Sequence, residues 1–482
     1  MLGKPQRIVG VAIVLVTLVA SAYALASGRA TVAAPPRLTD WPEFGLNPQR
    51  TNATDDSTGI TAANVGHLRM RAVALPGTPD NSAVYLHAVS VDGAPHDVAF
   101  LTTSYGITLA VDVVHARILW RFVPPGIAAW RGSAQITTAS PIVDPGHAYV
   151  YATSPNGLVH KLSIADGREQ RGWPVAITPA PHTEKLTASL NIADGDLLAS
   201  TGGYYGDAPP YVGHLVEISL TSGRVQRVFN TLCANRRRII EPANCSVSDS
   251  AILSRSGPVV EPGSGRVLIA TGNGPYNGTT DFGDSVIELT LPGLKLRQAY
   301  TPTNQAMLNN SDSDLGSGSP ALLPGDLAVI AGKDGVLRLL NLAALDGSPP
   351  GTPPHTGGEL QTLTVPGGQQ VFTSPAVWHH LVFVAEDSGT AAYRVSGGRL
   401  QTLWQNGTSG TSPIVAGGLL YVYNPGGAIV VYDPASGHTI ASLAAAAGHW
   451  NSPIVVDGHI IEATGDANAH LTRGALDIYS AR

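Results

Sequence analysis

The sequence predicts an all-β fold, an eight-bladed β-propeller built from four-stranded antiparallel blades. One pattern recurs along the chain, in which a Ser-Pro-type entry is followed by short apolar strands separated by glycine turns. The apolar residues alternate with a period of two, as in Leu419, Tyr421 and Tyr423, and no long amphipathic helical stripe follows the N-terminal segment. The chain has 54 glycines and 36 prolines among 482 residues, which supply the many turns of such a fold.

The first element, residues 1–30, differs from everything after it. Lys4 and Arg7 precede an uncharged stretch over residues 8–28, in which Ala-Leu-Ala at residues 24–26 forms a small-x-small cleavage site. This pattern predicts a signal peptide, and an uncleaved N-terminal membrane anchor is the alternative. We therefore expect an exported protein, periplasmic or extracellular, that is either released or tethered to the outer face of the cytoplasmic membrane.

The next element, residues 31–39, is predicted to be a linker, and residues 40–482 are predicted to form the propeller. Eight repeat units enter at Ser82, Ser140, Ser189, Ser256, Ser319, Thr373, Thr411 and Asn451. These units are too short for a string of separate β-sandwich domains, which need about 100 residues each. We expect strands within residues 40–75 to close the ring by pairing with residues 475–480, because closure removes an exposed sheet edge.

The two cysteines, Cys233 and Cys245, belong to an insertion between the third and fourth units. An oxidising compartment favours their pairing, so we predict one disulfide, worth about 3 kcal/mol by the chain-entropy argument. Two free buried thiols are the alternative. Metal binding by the pair is less favoured because no histidine accompanies it.

Charge and motifs exclude several classes of function. The net charge is -6 and the longest basic run is Arg236 to Arg238, so no surface for nucleic acid is predicted. The sequence has no nucleophile elbow, phosphate-binding loop or dinucleotide fingerprint in a strand-turn-helix setting. We expect the ligand, a small molecule or a partner protein, to bind at the funnel where the loops of the blades converge.

Three segments resemble a known family. They are WPEFGLNPQRTN from Trp41, GITAANVGHL from Gly59 and GITLAVDVVHARILWRF from Gly106. They resemble the opening of the quinoprotein alcohol dehydrogenase superfamily, whose eight-bladed propeller binds pyrroloquinoline quinone (PQQ). The resemblance implies PQQ and calcium as cofactors, with a carboxylate general base that acts on an alcohol. Similar repeats also occur in non-catalytic relatives, such as the propeller lipoprotein of outer-membrane protein assembly.

The resemblance also implies a set of site residues. The segment TGNGPYNG matches the family's calcium-binding Asn at Asn273, with Tyr276 as the aromatic residue beside the cofactor. The segment NNSDSDLGSGSPALL offers Asp312 and Asp314 as candidates for the general base, and Asp312 as a second candidate calcium ligand. Lys333, in GKDGVLRLL, matches a lysine that approaches the quinone.

Each of these residues also has a structural interpretation. Asn273 and Asn277 each precede a glycine and suit hairpin positions with positive φ. The two aspartates can cap the turn that enters a blade by hydrogen-bonding to their own backbone. Lys333 precedes Asp-Gly and can be an ordinary exposed hairpin lysine.

Three family features are missing from the sequence. Tyr204 and Tyr205 stand where a metal-binding Glu is expected, with Asp207 as the nearby carboxylate. Adjacent cysteines are absent, and no Trp lies between Trp173 and Trp378 to stack under the cofactor. The sequence therefore favours an exported quinoprotein-like propeller that binds a protein or small molecule without redox turnover. A PQQ-dependent alcohol or polyvinyl-alcohol-type dehydrogenase is the alternative.

Overall fold

The structure is a computed structural model that describes residue 3 and residues 37–204, 208–466, 468–469 and 472–481. Apart from residue 3, the predicted signal or anchor segment therefore lies outside the described residues, and so does most of the predicted linker. Within the described residues, no helix is long and apolar enough to cross a membrane.

Eight antiparallel sheets confirm the predicted propeller, and in each sheet the four strands are hydrogen-bonded in the order of a meander. The strands of blades 1 to 4 are Val84–Val91, Ala94–Thr102, Thr108–Asp112 and Arg117–Phe122; Ile142–Val143, Tyr149–Ser154, Leu158–Ser163 and Val175–Ala176; Asn191–Ala193, Asp196–Ser200, His214–Ser219 and Val225–Asn230; and Val259–Glu261, Arg266–Ala270, Val286–Thr290 and Lys295–Tyr300.

The second half of the chain continues the same plan. The strands of blades 5 to 8 are Ala321–Leu323, Leu327–Ala331, Val336–Asn341 and Gln361–Thr364; Ala376–Trp378, Leu381–Glu386, Gly389–Ser396 and Arg399–Asn406; Ile414–Ala416, Leu419–Asn424, Ala428–Tyr432 and Thr439–Ala444; and Ile454–Val456, His459–Thr464, Gly474–Ser480 and Arg69–Leu75. Each of the eight predicted entries directly precedes the first strand of a blade.

The ring closes through the N-terminal part of the propeller, as predicted. Arg69–Leu75 is the fourth strand of blade 8 and pairs antiparallel with Gly474–Ser480 over its whole length. A second short strand, Ala53–Thr54, pairs parallel with Ile414–Ala416 of blade 7. Two separate segments of the N-terminal region thus join the last two blades, which removes the free edge of an open ring.

The strands are apolar because both faces of a blade are covered by its neighbours. In blade 7, Tyr421 belongs to an apolar cluster that includes Ile461 of blade 8. The adjacent residues Leu420 and Val422 belong to a different cluster, which includes Phe383 of blade 6. Successive side chains of a strand point to opposite faces, so consecutive apolar residues fill two separate cores.

The connections between blades carry the remaining elements. The predicted disulfide is formed between Cys233 and Cys245, with the Cα atoms 6.1 Å apart, in the insertion between blades 3 and 4. A short strand pair, Glu184–Lys185 with Gly202–Gly203, lies beside blade 3. The helical elements of the described residues are the α-helix Gln305–Asn310 and the 3-10 turns Val65–His67, Ile127–Trp130, Pro242–Asn244, Leu315–Ser317 and Pro366–Gly368.

Candidate functional site

A cavity of about 290 Å³ lies among the connections between blades. Its charged and aromatic lining consists of Asp80, Lys185, Arg255, Asp312, Asp314, Lys333, Tyr204, Phe372 and Trp450. Most of these residues lie in the segment just before the first strand of a blade, and Tyr204 and Lys333 lie between the second and third strands of theirs. In an antiparallel meander these two kinds of connection emerge on the same face, so they assemble one funnel.

One side of the cavity is a compact ionic cluster around Asp314. The side chain of Asp314 is only 3% exposed, and its Oδ1 accepts a hydrogen bond of 2.6 Å from the backbone N–H of Asn273. Its Oδ2 lies 2.5 Å from Lys333 Nζ, which also donates to Asp312 Oδ1 at 2.9 Å. The structure therefore brings together Asn273, Asp312, Asp314 and Lys333, four of the residues singled out from the sequence.

The two aspartates differ in their surroundings. Asp312 is 62% exposed and has a positive φ of 50°, whereas Asp314 is buried behind it. Burial raises the pKa of Asp314, and Lys333 and the Asn273 N–H only partly offset it. Burial also acts to lower the pKa of Lys333, but Asp314 and Asp312 outweigh it and raise that pKa above its usual value. The surroundings therefore favour the charged form of Lys333, which lies beside a carboxyl group whose pKa is raised.

A further buried carboxyl, Asp284, stands beside this cluster and was not recognised in the sequence. It is fully buried and accepts hydrogen bonds from the Leu315 N–H at 3.1 Å and from Gln305 Nε2 at 3.3 Å. Burial raises its pKa to about 7, with the charge of Asp314 adding to the effect. In the sequence it is one of three acidic residues in the segment DFGDSVIEL, and no local pattern distinguishes it from Asp281 and Glu288.

The loop TGNGPYNG combines two roles. Asn277 caps a turn, because its Oδ1 accepts hydrogen bonds from the backbone N–H groups of residues 279, 280 and 281. The predicted positive φ at Asn273 and Asn277 is wrong, since Gly278, with φ 69°, adopts that conformation instead. Tyr276 packs edge-on against Phe282, with ring centroids 6.4 Å apart, and is not among the residues that line the cavity.

A second ionic cluster in the lining is built from residues that the sequence did not single out. Asp80 Oδ1 accepts from Arg255 Nη2 at 2.7 Å, and Asp80 Oδ2 lies 2.8 Å from His449 Nδ1. Burial acts to raise the pKa of Asp80, but Arg255 and His449 outweigh it and hold that pKa well below its usual range. His449 stacks on Trp450 at a centroid distance of 4.0 Å, and Trp450 stacks on Phe372 at 4.6 Å.

Lys185 lines the same cavity. It is 8% exposed, and among the described residues no acceptor lies within hydrogen-bonding or ion-pair distance of its Nζ. Burial lowers its pKa to about 8; Asp80 opposes this effect and Arg255 adds to it. The cavity therefore contains one amine, Lys185 Nζ, that has no acceptor among the described residues.

Among the described residues, no carboxylate at the position expected for a third-blade metal ligand lines the cavity. Tyr204 is buried and donates to the carbonyl oxygen of Pro181 at 3.0 Å, while Tyr205 and Asp207 lie outside the described residues. Glu184 is nearby, but it is fully buried, accepts from the Val212 N–H at 2.9 Å and is not part of the lining.

The donor set around Asp314 does not fit a calcium ion. Calcium takes about six to eight oxygen ligands, and both oxygens of Asp314 are already engaged by the Asn273 N–H and the Lys333 ammonium. The ammonium lies within 2.9 Å of Asp312 and 2.5 Å of Asp314, so it stands where a shared cation would stand. The remaining lining, with charged and aromatic side chains, suits a small polar organic molecule.

No protein-family model and no curated protein sequence match the chain. Solved structures do match it. The quinohemoprotein alcohol dehydrogenase of Comamonas testosteroni has a TM-score of 0.68 at 14% identity, over 93% of this chain and 82% of that one. A europium-containing methanol dehydrogenase has a TM-score of 0.67 at 12% identity, over 92% of this chain and 98% of that one. BamB from Moraxella catarrhalis has a TM-score of 0.55 at 11% identity, over 86% of this chain and 98% of that one. At these identities the likeness shows a quinoprotein-type propeller fold.

Proposed function

We propose that this quinoprotein-like propeller binds a small organic molecule in its funnel without calcium and without redox turnover. The observation that carries the proposal is the position of Lys333 Nζ, 2.9 Å from Asp312 and 2.5 Å from Asp314. The protein thereby supplies its own cation between the two carboxylates that the resemblance offers as candidates for the general base and a calcium ligand.

Electrostatics supports a metal-free site. A divalent ion and an ammonium group beside the same carboxylate repel each other strongly at such short range. Lys333 is held in place by two carboxylates and is largely buried, with its side chain 16% exposed. Calcium would have to displace this side chain and gather further oxygens that the surrounding residues do not offer.

The unmatched amine of Lys185 indicates what the ligand carries. A buried donor without an acceptor costs about 1–3 kcal/mol, and a carbonyl or carboxylate oxygen of a ligand would remove that cost. The aromatic pair Phe372 and Trp450 adds an apolar wall to the same cavity. We infer a ligand that combines an oxygen acceptor with a flat or apolar part.

A PQQ-dependent alcohol dehydrogenase is the second candidate, and the buried carboxyl groups favour it. A general base works best with a pKa near the operating pH, and burial raises the pKa of Asp284 to about 7 and that of Asp314 above its usual value. The solved dehydrogenases share the fold. For this function Lys333 would have to leave the position between the two aspartates.

We further propose that the protein acts outside the cytoplasm. The disulfide between Cys233 and Cys245 supports this location, because such bonds persist in oxidising compartments. Detection of the protein in the periplasmic or culture fraction tests it, and recovery in the cytoplasm with both thiols reduced would contradict it.

The binding proposal is tested with PQQ as the probe, because that molecule is flat and carries both carbonyl and carboxylate oxygens. We expect PQQ to bind saturably in the presence of EDTA. Binding is measured by the quenching of tryptophan fluorescence. Lys185→Met should weaken it by about tenfold or more, since a hydrogen bond to a charged group is worth about 1.5–3 kcal/mol. Lys295→Met, at an exposed position on the outer strand of blade 4, is the matched control and should leave the affinity unchanged.

Two results would contradict the proposal. The first is PQQ binding in EDTA with the same affinity in the wild type and in Lys185→Met, which would place the probe elsewhere. The second is alcohol-dependent reduction of a dye by the protein loaded with PQQ and calcium, which would establish the second candidate.

A further inference from the structure

We propose that Lys185 is a nucleophilic lysine that forms an imine with an aldehyde or ketone group of the ligand. The inference rests on the proposed function, because the funnel has to admit a small molecule before the amine can react. It goes further by naming the reacting atom, Lys185 Nζ, and the chemical class of the ligand, a small carbonyl compound.

The position of Lys185 provides the geometric basis. Its backbone is fixed in a short strand, where Lys185 pairs with Gly202 and Glu184 pairs with Gly203. The side chain lines the cavity, is 8% exposed and finds no acceptor among the residues described by the structure. An amine that is anchored at its base, reachable from the cavity and not engaged by a carboxylate is available to a ligand.

The surroundings of Lys185 also favour its reactive form. Only the neutral amine attacks a carbonyl carbon, and burial, with Arg255 adding to it, lowers the pKa of Lys185 to about 8. At pH 7 about one amine in ten is then neutral, against fewer than about one in a thousand for an ordinary lysine. This difference makes Lys185 the preferred nucleophile over exposed lysines.

The other lysines are placed differently. Lys333 is paired with two carboxylates. Lys161 Nζ donates to the carbonyl oxygen of Leu220 at 2.8 Å, and Lys295 is exposed on the outer strand of blade 4. Lys4, the only other lysine in the sequence, lies outside the described residues. The chain therefore offers few competing amines, and each of the described ones has a distinct environment.

The proposed step is a balanced condensation. The lone pair of the Lys185 amine forms a carbon–nitrogen bond to the carbonyl carbon, and the carbonyl oxygen takes up a proton to give a carbinolamine. Loss of one water molecule then gives the imine, and hydrolysis reverses the reaction without an oxidant or reductant. Thr187, whose buried hydroxyl has no partner among the described residues, lines the same cavity and is placed to hydrogen-bond the carbinolamine oxygen.

The experiment traps the imine in the exported full-length protein. The protein is incubated at pH 7 with propanal and sodium cyanoborohydride, which converts an imine into a stable secondary amine, and the modified lysines are identified by peptide mass spectrometry. We expect Lys185 to be alkylated about tenfold or more faster than Lys295. Lys185→Arg, which keeps the positive charge, should lose this fast phase and keep the slow labelling of the other lysines.

A parallel reaction with acetic anhydride separates access from imine chemistry. Acetylation of Lys185 without alkylation by propanal would overturn the imine and leave the proposed binding function intact. If neither reagent modified Lys185, the cavity would be closed to small molecules, and both proposals would fall. Labelling of Lys295 or Lys161 as fast as Lys185 would also overturn the inference.

Discussion

Replacing Lys333 with methionine removes the ammonium group and keeps most of the volume of the side chain. Asp314, 3% exposed, then loses its charge partner and keeps only the hydrogen bond from the Asn273 N–H. Removing one member of a buried ion pair leaves the other charge uncompensated, which lowers the free energy of unfolding by about 3–5 kcal/mol. Because Lys333 is 16% exposed and water screens the pair in part, we expect the lower end, about 3 kcal/mol at pH 7.

The pH dependence of this loss follows from the sign of the pKa shift. Burial raises the pKa of Asp314 even with Lys333 present, and removal of the ammonium raises it further. In the variant, the folded protein takes up a proton at Asp314 more readily than the unfolded chain does. The cost of Lys333→Met relative to wild type is therefore largest above the pKa of Asp314 in the folded variant, and it shrinks as the pH falls from there towards the lower, but still raised, pKa of Asp314 in the folded wild type.

Urea unfolding at pH 7 and at pH 5 measures both effects. A double variant, Lys333→Met with Asp314→Asn, is the control, and it should recover most of the lost stability because no unpaired charge remains. A loss below about 0.5 kcal/mol for the single variant at pH 7 would refute the reasoning. A double variant no more stable than the single one would refute it too.

Two further predictions concern stability away from the cavity. Replacing both Cys233 and Cys245 with serine should lower the free energy of unfolding by about 3 kcal/mol, measured by urea titration, and an unchanged midpoint would contradict a structural role for the bond. Glu462 is fully buried, and neither of its carboxyl oxygens has a hydrogen-bond partner among the described residues. Burial raises the pKa of Glu462 well above its usual value, and the charge of Asp477 adds to this effect. An acid with a raised folded pKa loses stability as the pH rises above its unfolded pKa, so Glu462→Gln should melt higher than wild type at pH 8 and much the same at pH 4. Equal melting temperatures at pH 8 would contradict this.

The architecture was accessible from the sequence because its signals are local. Each blade entry lies within a few residues of the strand that it precedes, and alternation along a strand such as Leu419–Asn424 needs no knowledge of distant contacts. Closure by Arg69–Leu75 was predicted from the physics of sheet edges, which holds for any complete ring.

The site was only partly accessible, since the funnel is assembled from separate connections. Asp314 and Lys333 were found because short local motifs surround them. Asp80 and Arg255 are 175 positions apart, and His449 is 369 positions from Asp80, so no local pattern indicates that they form one cluster. Lys185 has an even weaker signal in the sequence, because its lack of an acceptor among the described residues is a property of the folded cavity alone.

The conformation of the loop TGNGPYNG shows a similar limit. Asn-Gly predicts positive φ at the asparagine of a two-residue hairpin, but here Asn277 caps a wider turn and the glycine takes that conformation. Asn273 instead directs its backbone N–H to Asp314, which lies 41 positions further along the chain. Tertiary contacts therefore decide what the local motif leaves open.

The central claim is that Lys333 serves as the cation of the funnel, and calcium dependence tests it most directly. Wild-type protein saturated with PQQ is titrated with calcium by isothermal calorimetry, and the PQQ affinity is measured in EDTA and in calcium. We predict no saturable heat of calcium binding and a change in PQQ affinity of less than about twofold. Stoichiometric calcium binding, together with a PQQ affinity about tenfold or more higher in calcium, would contradict the claim.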